Sequence, residues 1–164
     1  MAAGDTLLVF RPIEGVPTAS NYATFGSRNQ HVTLLFDDTT PESVVFESVM
    51  PQSYSGNGVT VYLHYAMLSA TSGDIDWDVA FERIGDQQLD IDSDSFAAVN
   101  SVDNTTVPGT AGFVDVVSIA FTDGADMDSV AAGEAFRMKV TRDAASDTGS
   151  GDAELIRVEI RETT

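Results

Sequence analysis

The segment DIDWDVAFE at residues 74–82 alternates acidic with apolar side chains, and this pattern limits what the chain can fold into. Side chains of a β-strand point alternately to opposite faces of a sheet, so Ile75, Trp77 and Val79 share one face while the carboxylates share the other. Such a strand has one buried and one solvated face, as in an antiparallel sheet. Its apolar face needs a second layer to cover it, which predicts two packed layers.

Strand signals recur along the whole chain, as runs of β-branched and aromatic residues bounded by turn residues. Residues 59–68 and 113–121 are apolar on both faces, which is typical of central strands or of a surface covered by another subunit. No linker divides the chain. We therefore expect one all-β domain over residues 1–164, built as an antiparallel two-sheet β-sandwich, a jelly roll or a closed barrel. The predicted strands cover residues 6–10, 22–26, 31–37, 44–50, 59–69, 75–84, 96–99, 113–122, 135–142 and 154–161.

The first 19 residues are predicted to form a short extended N-terminal arm, because Pro12 and Pro17 disfavour a continuous core strand. We expect this arm to reach a neighbouring subunit or another protein surface. The segment has neither a basic stretch nor a long apolar run, so no classical export signal is predicted. The candidate contacts of the arm are Phe10, Arg11 and Ile13.

The chain carries 26 acidic and 8 basic residues, a formal net charge of −18. This charge disfavours nucleic acid and anionic membranes as partners, since both are bound by clusters of Lys and Arg. It is typical of a solvated surface that prevents self-association, or of adaptation to a saline habitat. The only basic concentration lies on the solvated faces of the last two predicted strands, which could pair with each other. It consists of Arg137, Lys139, Arg157 and Arg161. We expect these cations either to pair across the strands with Glu159 and its neighbours or to contact an acidic surface of another subunit or partner protein.

No motif for catalysis or cofactor binding is present, so we predict neither an enzyme nor a cofactor. Cysteine is absent, and His31 and His64 lack the spacing of a zinc site and a nucleophile motif, which favours structural roles for both. The triplet Asp90, Asp92 and Asp94 resembles the start of a calcium loop but lacks its Gly and final Glu, so a solvated turn is favoured.

The aromatic residues leave room for ligand stacking at one position. Trp77 lies on the apolar face of its strand, which favours core packing. Tyr54, in the loop QSYSGNG, is the candidate exposed ligand aromatic. Carboxylates are so abundant that a pair suited to glycoside hydrolysis is always available, and their presence alone decides nothing.

From about Asn21 onward the sequence resembles a group of proteins encoded by tailed phages and prophages. The resemblance is carried by SNYATFGSRN, VVFESVMPQSY, SATSGDIDWDVAFERIGD, AAGEAFRMKVTRD and DTGSGDAELIRVEIRE. Its motifs have a structural character. They are the turn at Gly133, the pair Arg142 and Asp143, and the loop residues Asp147, Thr148, Gly151 and Asp152.

This resemblance implies a short jelly roll that associates as a homotrimer on virions. The expected function is that of a non-enzymatic capsid decoration, or cement, protein on the virion surface, bound to the major capsid protein. The alternative is a receptor-binding or carbohydrate-binding jelly-roll module of a phage tail or fibre. A carbohydrate-active enzyme is a third, less favoured class.

Overall fold

The computed structural model describes residues 4–87 and 89–163. Within these residues the chain forms eleven β-strands and two short 3-10 turns, at Pro12–Glu14 and Ala125–Met127. The strands are β1 (Thr6–Phe10), β2 (Val16–Pro17), β3 (Thr24–Arg28), β4 (His31–Phe36), β5 (Glu42–Val49), β6 (Val59–Met67), β7 (Asp74–Ile84), β8 (Asn100–Thr106), β9 (Val114–Phe121), β10 (Ala135–Arg142) and β11 (Ala153–Glu162).

The strands pair antiparallel in two sheets. Sheet A has the order β3-β4-β11-β6-β9, and β1 pairs with the C-terminal half of β11 while β4 pairs with its N-terminal end. Sheet B has the order β2-β5-β10-β7-β8. The predicted all-β, antiparallel two-sheet β-sandwich is therefore confirmed. Among the described residues, no helix is long and apolar enough to cross a membrane.

The core lies between the inner faces of the two sheets, and the predicted alternation of β7 supplies its centre. Trp77 is fully buried, with its ring 5.1 Å from that of Phe36 and 5.5 Å from that of Tyr65, both on sheet A. A second aromatic contact joins Phe81 to Phe121 at 4.9 Å. Each such buried side chain stabilises the fold by about 1.5–3 kcal/mol relative to an exposed one.

The N-terminal residues lie along the sandwich, which corrects the predicted arm for the described part of that segment. β1 pairs with β11, and Phe10 is buried with its ring 5.3 Å from that of Phe46. Burial of Phe10 and partial burial of Leu7 and Leu8 outweigh the interruptions that follow them. Pro12 begins a 3-10 turn, and Pro17 lies in the edge strand β2, where a missing N–H is tolerated. Residues 1–3 of the predicted arm lie outside the described residues.

The predicted strand at residues 96–99 is wrong, because the chain enters sheet B only at Asn100. β8 has the polar sequence NSVDNTT and shifts its register opposite residues 75–77, so it carries no alternating pattern. The apolar residues before it belong to the loop between β7 and β8, where Phe96 packs on the outside of the sheet.

A β-bulge in β11 changes the predicted alternation of the last strand. Its pairing with β6 shifts between Leu155 and Arg157, and Leu155 and Val158 are both buried although they are three positions apart. The two residues between them, Ile156 and Arg157, therefore both leave the core face. Val158 and Ile160 face the core as predicted, but Ile156 does not.

Candidate functional site

The outer face of sheet B is partly covered by the chain itself. In the loop between β7 and β8, the backbone N–H of Ala97 donates a hydrogen bond to β7. The ring of Phe96 lies over β10, 5.2 Å from the guanidinium carbon of Arg137 and 4.9 Å from Nζ of Lys139. Arg137 is also ion-paired with Glu82. These two cations, predicted as contacts with a partner, are engaged within the chain.

The predicted pairing of the last two strands is wrong, because β10 lies in sheet B and β11 in sheet A. Alternation identifies the solvated face of each strand but not the sheet that it joins, and the connection between them crosses from one sheet to the other. Arg157 and Arg161 therefore lie on the opposite side of the molecule from Arg137 and Lys139. Arg161 is ion-paired with Glu159 at 2.8 Å and its guanidinium carbon lies 4.1 Å from the centre of the Tyr62 ring.

The outer face of sheet A holds a cavity of about 470 Å³ at one end. This volume is within the range of about 300–1,000 Å³ that is usual for ligand sites. Apolar side chains of β6 and β11, Ala66 and Ile156, form part of its wall, and Ile156 reaches it because of the β-bulge. The lining residues are Arg28, Asn29, His31, Thr33, Ala66, Ala111, Gly112, Phe113, Val114, Glu154 and Ile156.

A tight hairpin between β3 and β4 forms one side of this cavity. Arg28 pairs with His31, so only Asn29 and Gln30 make the turn. Both have positive φ, 45° and 66°, as a type I′ hairpin turn requires. The hairpin therefore carries the side chains of Arg28 and His31 to the cavity as neighbours.

Arg28 connects the hairpin to the middle of sheet A. Its Nη1 donates hydrogen bonds to Oε2 of Glu154 at 2.7 Å and to the carbonyl oxygen of Met67 at 3.2 Å. The loop before β9 passes close to the same guanidinium, because a Cβ at Gly112 would lie 2.7 Å from Nη2 of Arg28. The polar side of the cavity is thus fixed before any ligand arrives.

Two further side chains suit the cavity to a ligand with both apolar and polar surfaces. Phe113 is 63% exposed at its rim. Thr33 is only 2% exposed, and its hydroxyl has no hydrogen-bond partner among the described residues. A buried polar group without a partner is costly, which favours a site that a ligand or water completes.

A cleft of about 310 Å³ adjoins this cavity and shares His31 with it. It brings together three of the predicted contact residues, Arg11, Ile13 and Arg157, with Ile13 65% exposed. We call the cavity and the cleft together the sheet A groove. Of the remaining predicted contacts, Phe10 is in the core, while Arg137, Lys139 and Arg161 lie outside the groove.

Tyr54 is buried, which corrects its prediction as an exposed ligand aromatic. It is 6% exposed, its hydroxyl donates to Oδ1 of Asp123 at 2.8 Å, and that hydroxyl accepts from the backbone N–H of Gly58 at 3.1 Å. Burial, followed by the hydrogen bond to Asp123, raises the pKa of Tyr54 above its usual range. Tyr54 therefore ties two loops together.

The sequence did not single out Phe113, the exposed aromatic of the groove. It directly precedes β9 in the run FVDVVSIAF, where it looks like the first residue of a central strand. The preceding run VPGTAG was the available signal, because a cluster of Gly, Pro and Thr before a periodic segment is typical of a loop.

The carboxylates of residues 90–94 stabilise a turn rather than converging on an ion. Oδ1 of Asp90 accepts from the backbone N–H of Asp92, and Oδ1 of Asp94 accepts from that of Ser95. Among the described residues, another trio of carboxylates, Asp37, Asp38 and Asp152, has oxygens within 4.8 Å of one another. One of them, Asp38, accepts a hydrogen bond from the backbone N–H of Gly151.

Two carboxylates at the groove are engaged by arginines. Glycoside hydrolysis needs one carboxyl group free to give a proton and a second that is ionised. Glu154 in the cavity and Glu14 beside the cleft are instead each ion-paired with an arginine, at 2.7 Å and 3.6 Å. His64 lies on the open face of sheet A, 3.8 Å from Glu159, and His31 lies in the groove itself.

No family model and no curated protein matches the sequence. Solved structures match the fold. The C-terminal CBM6 of the marine laminarinase LamC from Zobellia galactanivorans is 12% identical, with a TM-score of 0.55 over 96% of this chain and 100% of that one.

Two other carbohydrate-binding modules are similar to the same degree. The CBM22-1 xylan-binding domain from Paenibacillus barcinonensis has a TM-score of 0.55 at 11% identity, over 100% of this chain and 99% of that one. A family 35 carbohydrate-binding module from an environmental isolate has a TM-score of 0.55 at 11% identity, over 94% and 92%. The chain therefore has the jelly-roll β-sandwich fold found in carbohydrate-binding modules.

Proposed function

We propose that the chain is a non-catalytic carbohydrate-binding domain that holds a glycan in the sheet A groove. The observation that carries this proposal is the pairing of the exposed ring of Phe113 with fixed polar groups in one cavity. A sugar ring presents C–H groups on its faces, which pack on an aromatic ring, and hydroxyl groups around its edge. Arg28, Glu154 and Asn29 offer donors and acceptors for those hydroxyl groups.

The size of the groove supports a chain of sugars rather than a single one. The cavity of about 470 Å³ and the cleft of about 310 Å³ are both lined by His31. A ligand that spans the groove makes several weak contacts at once, which is how shallow sites gain affinity. The likeness in fold to carbohydrate-binding modules supports the same function.

Replacing Phe113 with alanine tests the proposal. We expect the wild-type chain to bind at least one soluble glycan from a panel of laminarihexaose, cellohexaose, xylohexaose and mannohexaose. Phe113→Ala should weaken that binding about tenfold, the upper range of one aromatic contact. Isothermal titration calorimetry measures the dissociation constants. Because Phe113 is exposed, the melting temperature should hardly change.

The matched control is Phe25→Ala, since Phe25 is also exposed, at 57%, but lines a separate small cavity near Tyr22. It should bind glycan as the wild type does. A wild-type chain that binds no member of the panel would refute the proposal. A loss of binding in Phe25→Ala but not in Phe113→Ala would refute the assignment of the groove.

The virion role, the homotrimer and the capsid partner remain predictions of the sequence resemblance. The fold likeness favours the carbohydrate-binding alternative over the cement role. That alternative places the chain on a phage tail or fibre, so a glycan-binding role is compatible with a virion location but not with the cement role.

A further inference from the structure

Most cations of this acidic chain are engaged by carboxylates. Five arginines have a close carboxylate partner, and Lys139 lies over the ring of Phe96. Arg157 differs from them, because it is exposed and has no carboxylate partner among the described residues. Its Nη1 donates only to the carbonyl oxygen of its neighbour Ile156, at 2.6 Å.

Among the residues that the structure describes, no carboxylate lines the cleft that contains Arg157. Its residues are Arg11, Pro12, Ile13, Gln30, His31, Val32 and Arg157. Arg11 has a loose partner in Glu14 at 3.6 Å, and both side chains are exposed, so water screens that ion pair. In a chain of net charge −18, a cleft lined by two guanidinium groups, of which only that of Arg11 has a carboxylate partner, is a local exception.

We propose that this cleft binds the carboxylate of a uronic acid residue in a glycan whose neutral part lies in the adjoining cavity; the inference rests on the proposed function. A guanidinium group is planar and donates two parallel hydrogen bonds to a carboxylate, which makes Arg157 the specific contact. His31, shared by cleft and cavity, and the amide of Gln30 offer hydrogen bonds to the sugar hydroxyl groups.

The net charge favours a glycan with isolated uronates over a dense polyanion. The field of a protein with charge −18 repels a sulfated or phosphorylated polymer at every repeat. A single carboxylate on a neutral backbone is repelled at one point only, and there it lies within the screening length of the positive charges of Arg157 and Arg11. The ligand class is therefore a neutral glycan that carries occasional uronic acid substituents.

The experiment compares matched ligands by titration calorimetry at low and moderate salt. The probes are a xylo-oligosaccharide with one glucuronate branch, the same compound after reduction of its carboxylate to an alcohol, and a sulfated xylo-oligosaccharide. We expect the glucuronate form to bind about fivefold to tenfold more tightly than the reduced form. Arg157→Gln should remove that preference, and added salt should reduce it.

Lys139→Gln is the control variant, because it removes one positive charge from the opposite face of the sandwich. It should keep the preference for glucuronate. Equal binding of the glucuronate and reduced forms would overturn this inference and leave the proposed function standing, whereas no binding of either form or of the neutral panel would overturn both. Tighter binding of the sulfated form would overturn the assignment to a carboxylate.

Discussion

At the scale of single residues, the outer face of sheet B carries a carboxylate, Asp78, whose ionised form is unfavourable. Asp76, Asp78, Asp103 and Asp143 line one shallow cavity. Burial raises the pKa of Asp78, and the charges of its acidic neighbours raise it further, against the hydrogen bond that Ser101 donates to it. An ionised Asp78 therefore costs the folded state free energy.

Asp78→Asn should stabilise the protein at neutral pH, since it keeps the acceptor for Ser101 and removes the charge. The pKa of Asp78 is higher in the folded than in the unfolded chain, so the cost is present above the folded pKa. It disappears as the pH falls below the unfolded value of about 3.9. We expect a gain of a few tenths to about 1 kcal/mol after solvent screening at pH 7 and none at pH 3. Urea denaturation at both pH values measures it.

The control for this charge effect is Asp126→Asn. Hydrogen bonds from the hydroxyl and the backbone N–H of Thr122 lower the pKa of Asp126, so its charge favours the folded state. Its neutralisation should destabilise the protein at pH 7, the opposite sign. If Asp78→Asn were also less stable than the wild type at pH 7, repulsion among these carboxylates would not be the dominant effect.

The sequence predicted burial well for residues in alternating strands and poorly for residues in loops. Trp77 is in the core as its alternation predicts. Tyr54 was expected to be exposed but is buried, with its hydroxyl bonded to Asp123. Phe113 was expected to begin a central strand but is exposed at the rim of the cavity. Such outcomes depend on contacts between residues far apart in the chain, which no local pattern contains.

At the scale of elements, the cavity depends on how closely the loop before β9 approaches the β3–β4 hairpin. Gly112 has a φ of +83°, and a Cβ there would lie 2.7 Å from Nη2 of Arg28. Gly112→Ala should therefore displace Arg28 from Glu154 and weaken glycan binding severalfold, at a stability cost of about 1 kcal/mol for the positive φ. Titration calorimetry and thermal denaturation measure the two effects.

Gly56→Ala separates backbone strain from the contact with Arg28. Gly56 has a φ of +80°, but a Cβ there would meet nothing within 4 Å. It should lose similar stability and keep full binding. Unchanged binding in Gly112→Ala would mean that the position of Arg28 does not matter for the ligand.

Strands that alternate apolar and polar residues were predictable, but the strands with which they pair were not. β7 and β10 occupy the predicted residues closely, because each buries one face. β8 was missed because its polar sequence lacks alternation, and the bulge at Ile156 was missed because one extra residue leaves no local signal. The groove depends on that bulge and on the β3–β4 hairpin, so its position did not follow from the sequence.

At the scale of the whole molecule, Arg142 joins the two sheets. It lies at the end of β10 in sheet B and is fully buried, yet its Nη1 donates to the carbonyl oxygen of Phe36 in sheet A at 3.1 Å. It also donates to the carbonyl oxygens of Gly149 and Gly151 and is ion-paired with Asp147 at 2.7 Å. Arg142, Asp147 and Gly151 thus have structural roles in this network.

Arg142→Met should destabilise the protein by about 3–5 kcal/mol, because it fills similar space but leaves a buried carboxylate and three carbonyl groups without their donor. Domains of this kind have a total stability of about 5–15 kcal/mol, so guanidinium denaturation should detect the loss easily. The double variant Arg142→Met with Asp147→Asn removes the unpaired charge and should recover part of it. Arg83→Met, which breaks a more exposed ion pair with Glu134, should cost less. Equal losses in the two single variants would mean that the network between the sheets contributes no more than a surface ion pair.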